Sequence, residues 1–299
     1  MNWACATRET WDVTLGVHNQ QIELAGTSAV RLDLDNAEEF RRQIAFLSPD
    51  LIVHAAGLTS VDHCEQDPEL AHQSNVVIAK NVAVAAAASN VPLIHISTDH
   101  LFSGSDAFYL EDDELSPLNE YGRSKALAEY WVGAVNPDAL IIRTNFFGWG
   151  HRKRQSFSDW LLSGLREKKP LSLFNDVFYT PILADVLAKI VHRLVLKRAS
   201  GIFNVVGDQR LSKYEFGLLL AACFGEPPNF LLADNVANAR LAAERPKDMS
   251  LDNSKTSLML GEALGSVPAF LEELRKQEAE GRAEELFSAI ADGGATTEP

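Results

Sequence analysis

Apolar and polar positions alternate in short blocks along the first half of the chain, a strand-like run followed each time by a helix-like run. That order predicts a parallel sheet with crossover helices. Residues 11–18 are β-rich, and 29–32 form a short strand ending at Asp33. Asp35 or Asn36 can cap a helix running to about Leu47. A short apolar strand at 51–54 leads into a loop through Gly57 and Thr59, and a long helix follows from about Pro68 to Ser89. The next strand, 91–96, carries Ser97, Thr98 and Asp99 at its carboxyl end. A helix is expected at 119–135 and a buried strand at 139–143.

Beyond Gly150 the pattern loosens. Helices are expected at 156–165, 183–196 and 213–223, and a strand at 202–206. Residues 225–260 read as irregular, 267–290 as an acidic helix and 293–299 as a disordered tail. The fold class is therefore α/β, with a Rossmann-like nucleotide-binding domain over 1–150 and a mainly substrate-binding region over 151–290. Within the latter, 177–206 is expected to return to the sheet, and 291–299 to lie outside both.

Hydrophobic residues make up 46% of the 299 positions, enough for a substantial core. No apolar run approaches the roughly 20 residues that span a bilayer, which argues against a membrane partner. A formal net charge of −14 argues against a nucleic-acid polymer, which needs a clustered positive face. Arg152, Lys153 and Arg154 form the one tight basic cluster, read either as a solvated loop or as an anion contact. Cys5, Cys64 and Cys223 are far apart and odd in number, so neither a disulfide framework nor a metal site is expected, and the cytoplasm is the natural compartment.

The chemistry centres on Tyr121 and Lys125, which share one helix face at a spacing of four. An ammonium beside a phenol lowers its pKa, and such a Tyr can pass a proton to a developing alkoxide. The pair alone is common by chance. Its order after two strand ends gives it weight: His54-Ala55-Ala56-Gly57, small enough for a nucleotide to approach the backbone, and then Ser97-Thr98-Asp99, where a hydroxyl could bond a carbonyl. Ligands in open α/β sheets bind at such carboxyl ends. Asn145, Trp149 and Arg152 follow the strand at 139–143 and should face the cleft. There an aromatic could stack on a sugar or base and an Arg could pair with a diphosphate, although Trp149 reads equally well as a core aromatic of the second region.

Segments 54–65 (HAAGLTSVDHCE), 95–104 (HISTDHLFSG), 121–125 (YGRSK), 143–148 (RTNFFG) and 245–255 (RPKDMSLDNSK) together resemble the dTDP-4-dehydrorhamnose reductase family. That is a branch of the extended short-chain dehydrogenases, and the resemblance runs from about Trp11 to Leu260. It implies reduction of a 4-keto group on a nucleotide-linked deoxysugar by a nicotinamide cofactor. Thr98, Tyr121 and Lys125 fill the catalytic positions, with Asp99 adjacent. Asn75, Ser97 and Ala55-Ala56-Gly57 would lie beside the cofactor, Asp33 and Leu34 near its adenine, and Thr59 and Arg245 beside the sugar nucleotide. His63 and His100 flank the site and read as packing residues. A homodimer is a further expectation. Relatives that keep the fold as regulatory subunits leave a non-catalytic binding role open, and epimerisation or dehydration of a nucleotide sugar shares the hydride step.

One departure matters. This fold opens with a strand and a Gly-x-x-Gly-x-x-Gly turn that cradles pyrophosphate. Residues 1–5 (MNWAC) read instead as the middle of the first helix, so the sheet is expected to lack its central first strand and to leave two unpaired edges. At the second strand's end, Val17-His18-Asn19 offers no carboxylate for a ribose, which favours NADP over NAD, although no Arg stands there to hold a 2′-phosphate.

Overall fold

The alternating blocks fold into parallel ladders flanked by helices. In the computed structural model, which describes residues 1–18 and 20–290, helix α1 (Asn2–Thr7) precedes strands β1 (Val13–Val17) and β2 (Thr27–Arg31), which pair in parallel. Then come α2 (Ala37–Leu47), β3 (Ile52–His54), α3 (Val61–Gln66), α4 (Pro68–His72), α5 (Ile78–Ala88), β4 (Leu93–Ile96), α6 (Glu120–Val135) and β5 (Leu140–Arg143). The later helices are α7 (Phe157–Arg166), α8 (Ala184–Leu196), α9 (Lys213–Phe224), α10 (Ser254–Leu260), α11 (Val267–Ala279) and α12 (Arg282–Ser288). The tail expected at the carboxyl end lies outside the described residues.

Strand Gly201–Asn204 pairs with β5, β5 with β4 and β4 with β3, all in parallel. Every residue of β4 and β5 is buried, as suits strands covered on both faces. Ile94 and Ile142 face the larger cluster that includes Leu187 and Val191 of α8, while Leu93 and Ile141 pack against Val82 and Ala83 of α5 and Ala128 of α6. Alanines let α5 lie close to the sheet. No described helix is long and apolar enough to cross a membrane. Among the described residues no strand joins the β1–β2 ladder to the four-stranded sheet. Helix α1 packs on α8, where the Trp3 indole donates to His192 Nε2 at 3.0 Å.

Three stretches differ from the sequence expectation. The helix expected from 68 to 89 is interrupted by a π-turn at Gln73–Val77, which re-aims Asn75 as described below. Residues 225–260 hold strand Leu231–Asp234, paired with Leu171–Phe174, and α10. The acidic helix divides into α11 and α12 at Gly281, whose φ of +82° suits glycine.

Behind the carboxyl ends of β3 and β4, His54 and His95 are cross-strand partners, stacked with their Nδ1 atoms 3.0 Å apart. One ring donates and the other accepts, so the two cannot both be imidazolium. Burial and the Lys125 charge push His54 down to about 3, and burial, Lys125 and His54 hold His95 well below the ordinary imidazole value. Below the unfolded value of about 6.5 the unfolded chain takes up protons that the folded chain refuses, so stability is lost as pH falls from there toward 3. Denaturant unfolding should register this as a loss between pH 7 and pH 5, approaching roughly 1.4 kcal/mol per pH unit for each ring. Replacing both residues by Val should flatten that slope, and an unchanged slope would refute the assignment.

Candidate active site

Strand β4 runs out into Ser97, Thr98 and Asp99, all buried. The first turn of α6 lies directly against the loop that follows. A Cβ at Gly122 would sit 2.2 Å from His100 O, so only glycine permits this approach. Asn119 fixes the same turn, capping Gly122 N at 2.9 Å while its amide donates to Glu244 O at 2.8 Å. The Tyr121 ring thereby meets His100 edge-on at 5.4 Å, and Thr98 lies near enough to lower the phenol's pKa against the larger effect of burial. Thr98 Oγ1 donates to Asp99 Oδ1 at 3.3 Å and accepts from His100 N at 3.3 Å. Asn145, arriving from beyond β5, donates to Asp99 Oδ2 at 2.5 Å. The Thr98 hydroxyl, the Asp99 carboxyl and the Asn145 amide therefore form one hydrogen-bonded row, with the Tyr121 phenol near it.

Lys125 lies one turn after Tyr121, and its ammonium donates to Ile96 O at 2.7 Å. Burial pushes it down to about 8, opposed by Glu129. The expected depression of the phenol by this ammonium is corrected here. Burial pushes Tyr121 up to about 12, and the groups that lower it are Thr98 and Arg154. Lys125 points to the strand instead. A phenol so raised is protonated at neutral pH, the state a proton donor requires. Asp99 is pushed up to about 6 by burial, against the lowering effect of Lys213. His100 is pushed down to about 3 by burial, which makes it a neutral packing ring.

On the other side, Ala55, Ala56 and Gly57 are exposed at the end of β3. Asn75, carried on the π-turn, accepts from Leu58 N at 2.8 Å and donates to Leu58 O and to Ser124 Oγ at 3.0 Å each. Its amide is fully engaged, so it ties the 57–58 turn to α6 and shapes a cofactor surface without offering a free group. A Cβ at Gly57 would meet Asn75 Oδ1 at 2.7 Å. Ser97 Oγ is buried and has no partner, and Lys125 has two N–H groups beyond the one given to Ile96. An orphan hydroxyl and a lysine at the end of β4, with a small-residue turn at the end of the neighbouring β3, fit the ribose and nicotinamide of a dinucleotide. At the end of β2, Asp33 Oδ1 accepts from Asn36 N at 3.2 Å and Leu34 O from Asn81 at 3.2 Å.

The substrate-side residues divide. Arg245 pairs with Asp62 at 2.9 Å, and its charge reaches His100. Thr59 accepts a hydrogen bond from Arg154, the one member of the basic cluster whose charge reaches the phenol. Trp149 and Arg152 lie elsewhere. The indole is buried with Nε1 unpartnered, and Arg152 lies 5.1 Å over Phe287 of α12. Both line a cavity of about 670 Å³ between α7 and α12 that none of Thr98, Tyr121 and Lys125 lines. Sequence reasoning missed Lys213 altogether and did not single out Arg154.

Residues 10–277 match the family model described as the RmlD substrate binding domain. The chain belongs to that family. Among its relatives, the RmlD-family chain is 31% identical to a probable low-salt glycan biosynthesis reductase of Haloferax volcanii, over 85% of this chain and 86% of the other. It is also 31% identical to a dTDP-4-dehydrorhamnose reductase of Salmonella typhimurium, over 70% and 68%. Among solved structures, a dTDP-4-dehydrorhamnose reductase from Bacillus anthracis in complex with NADP superposes with a TM-score of 0.79 at 25% identity, covering 84% of this chain and 90% of that one. A hypothetical dTDP-4-dehydrorhamnose reductase from Sulfolobus tokodaii gives 0.77 at 31%, covering 89% and 92%. The RmlD family thus accounts for the parallel sheet and for the order in which its strand-ends meet α6.

Proposed function

We propose that this protein reduces the 4-keto group of a nucleotide-linked deoxysugar, with NADPH as reductant. The observation that carries the reading is the meeting of the first turn of α6, which bears Tyr121, with the strand-end that bears Thr98, with Lys125 one turn away on Ile96 O and the phenol held protonated. A reduced nicotinamide, when bound, supplies the hydride. Tyr121 gives its proton to the carbonyl oxygen as charge develops there, and Thr98 holds the phenol in line. The free N–H groups of Lys125 hold the ribose, and Ser97 Oγ offers a further contact. Arg245, Asn145, Thr59 and Arg154 lie on the side from which the sugar nucleotide would approach, and their cations suit its diphosphate. Trp149 and Arg152, lining a separate cavity, are left out of this role. The names of the relatives and the NADP held by the Bacillus anthracis protein support the same substrate class and cofactor. Unpaired thiols and the lack of a crossing helix among the described residues support a cytoplasmic enzyme.

The test is direct. Purified chain incubated with dTDP-4-dehydrorhamnose should oxidise NADPH faster than NADH, followed as loss of absorbance of the reduced nicotinamide. Absence of turnover with either cofactor would overturn the reading. Absence of turnover together with tight calorimetric binding of the sugar nucleotide would favour the non-catalytic alternative.

A further inference from the structure

Lys213 opens α9, and the fold seats it where stability alone gives little reason for a cation. Ser212 caps the helix through Glu215 N at 3.1 Å, so the lysine stands in a first turn whose dipole end is positive. Lys213 N donates to Val177 O at 3.1 Å, which fixes where the side chain begins. Its ammonium lies 3.2 Å from the centroid of the Tyr179 ring and 5.3 Å from that of Phe157. The ring faces hold the cation in place, but among the described residues no carboxylate or carbonyl lies within hydrogen-bond or ion-pair reach of it. Other cations at this end of the molecule are engaged: Arg245 with Asp62 at 2.9 Å, Arg210 with Asp248 at 2.7 Å and Lys125 with Ile96 O at 2.7 Å. A half-buried ammonium with three donors and no counter-charge is matched to an anion that comes from outside the chain.

Backbone pairing places this cation at the cleft. Strand Phe178–Tyr179 pairs along one edge with Leu211–Ser212, which leads directly into Lys213. Along its other edge it bonds residues 247–249, Phe178 N donating to Lys247 O at 2.8 Å and Met249 N to Phe178 O at 2.9 Å. Arg245 comes just before that segment, so Lys213 and Arg245 flank one strand. Burial, and after it the charges of Lys213 and Arg245, pushes His100 down, so both cations reach the ring that packs on Tyr121. From Tyr179 the chain runs on to Ile182, whose N–H donates to Asn145 O at 3.0 Å, and Asn145 in turn holds Asp99 beside Thr98. Lys213 thus lies toward the reacting carbonyl, whereas Arg245 is drawn to Asp62 of α3.

We propose that Lys213 binds the sugar-side phosphoryl group of the nucleotide sugar and so makes the cleft prefer a nucleoside diphosphate to a monophosphate. The inference rests on the reductase reading above for its substrate. An ammonium acts on phosphate as a point charge, and its three donors suit the non-bridging oxygens of one phosphoryl group. Burial pushes Lys213 down only to about 8, opposed by the Asp99 charge, so the group is still a cation at neutral pH.

Calorimetric titration of the full chain with dTDP and with dTMP tests the assignment without turnover. Wild type should bind dTDP the more tightly. Lys213→Met should weaken dTDP binding by about 10-fold or more, as expected for loss of a hydrogen bond between charged groups. Its dTMP binding should be unchanged, and Lys213→Arg should keep most of the preference for dTDP. In steady-state reduction, Lys213→Met should raise KM for dTDP-4-dehydrorhamnose by a similar factor at nearly constant kcat, because the phosphoryl contact is the same in ground and transition states. Equal affinities of wild type for the two nucleotides, equal losses on both in Lys213→Met, an unmoved dTDP affinity, or Lys213→Arg as weak as Lys213→Met would each overturn the assignment. A wild type that shows the nucleotide pattern but turns over no ketosugar sinks the reductase reading and leaves the phosphoryl site standing. Turnover by Lys213→Met at wild-type KM does the reverse.

Discussion

Replacing Tyr121 by Phe is expected to lower kcat for ketosugar reduction by about 10²–10⁴-fold, the usual worth of a positioned general acid. The substitution removes one oxygen and keeps the ring, which still packs edge-on against His100. Folding should barely respond, because only a hydroxyl is lost, and a single hydrogen bond is worth about 1 kcal/mol net. KM should change little, since the phenol acts where charge develops and not in the ground state. Steady-state NADPH oxidation and a thermal melt on the same sample check both halves. A variant that keeps more than a tenth of wild-type kcat would show that the proton comes from elsewhere.

The largest stability effect is expected at Arg143. Its guanidinium meets Glu129 through three hydrogen bonds of 2.8–3.2 Å and donates to Glu111 O at 3.0 Å. Both partners are almost wholly enclosed, with side chains 2% and 4% exposed. Arg143→Leu leaves a carboxylate in the core without its counter-charge, and such one-sided losses cost about 3–5 kcal/mol. For a chain of this size that is a fall in Tm of roughly 10 °C or more. Adding Glu129→Leu should recover much of it, because two apolar residues need no desolvation of charge. A single variant within 2 °C of wild type, an interval worth only about 1 kcal/mol, would contradict the account. Glu129 also lies one turn beyond Lys125 and supports its charge, so the same variants report on how much of the lysine's protonation depends on that carboxylate.

Local order was readable from the sequence because it is written locally. Tyr121 and Lys125 fall on one face by helical spacing, and Thr98 ends a strand wherever an apolar run gives way to Ser-Thr-Asp. Fold class followed from the same alternation. What escaped was set by distant contacts. Lys213 carries no local mark of its setting: a lysine after a capping serine reads as a solvated first turn until α9 is seen to place it over the Tyr179 ring. Asn75 was placed on a regular helix because nothing in QSNVV announces a π-turn, whose reason is the amide's three bonds to Leu58 and Ser124. Trp149 could be read either as a stacking platform or as a core aromatic, and the packing beneath α7 takes it into the core. Lys125 fell on the right face, but spacing says nothing of where a flexible amine points.

The docking of α1 on α8 bears on how the protein is made. Trp3 and its acceptor His192 are 189 positions apart. At roughly 5–20 residues per second on the ribosome, a newly emerged amino-terminal helix waits on the order of ten seconds or more for the surface that receives it. Throughout that interval its apolar face is open to neighbouring nascent chains, and a holding chaperone has its natural client there.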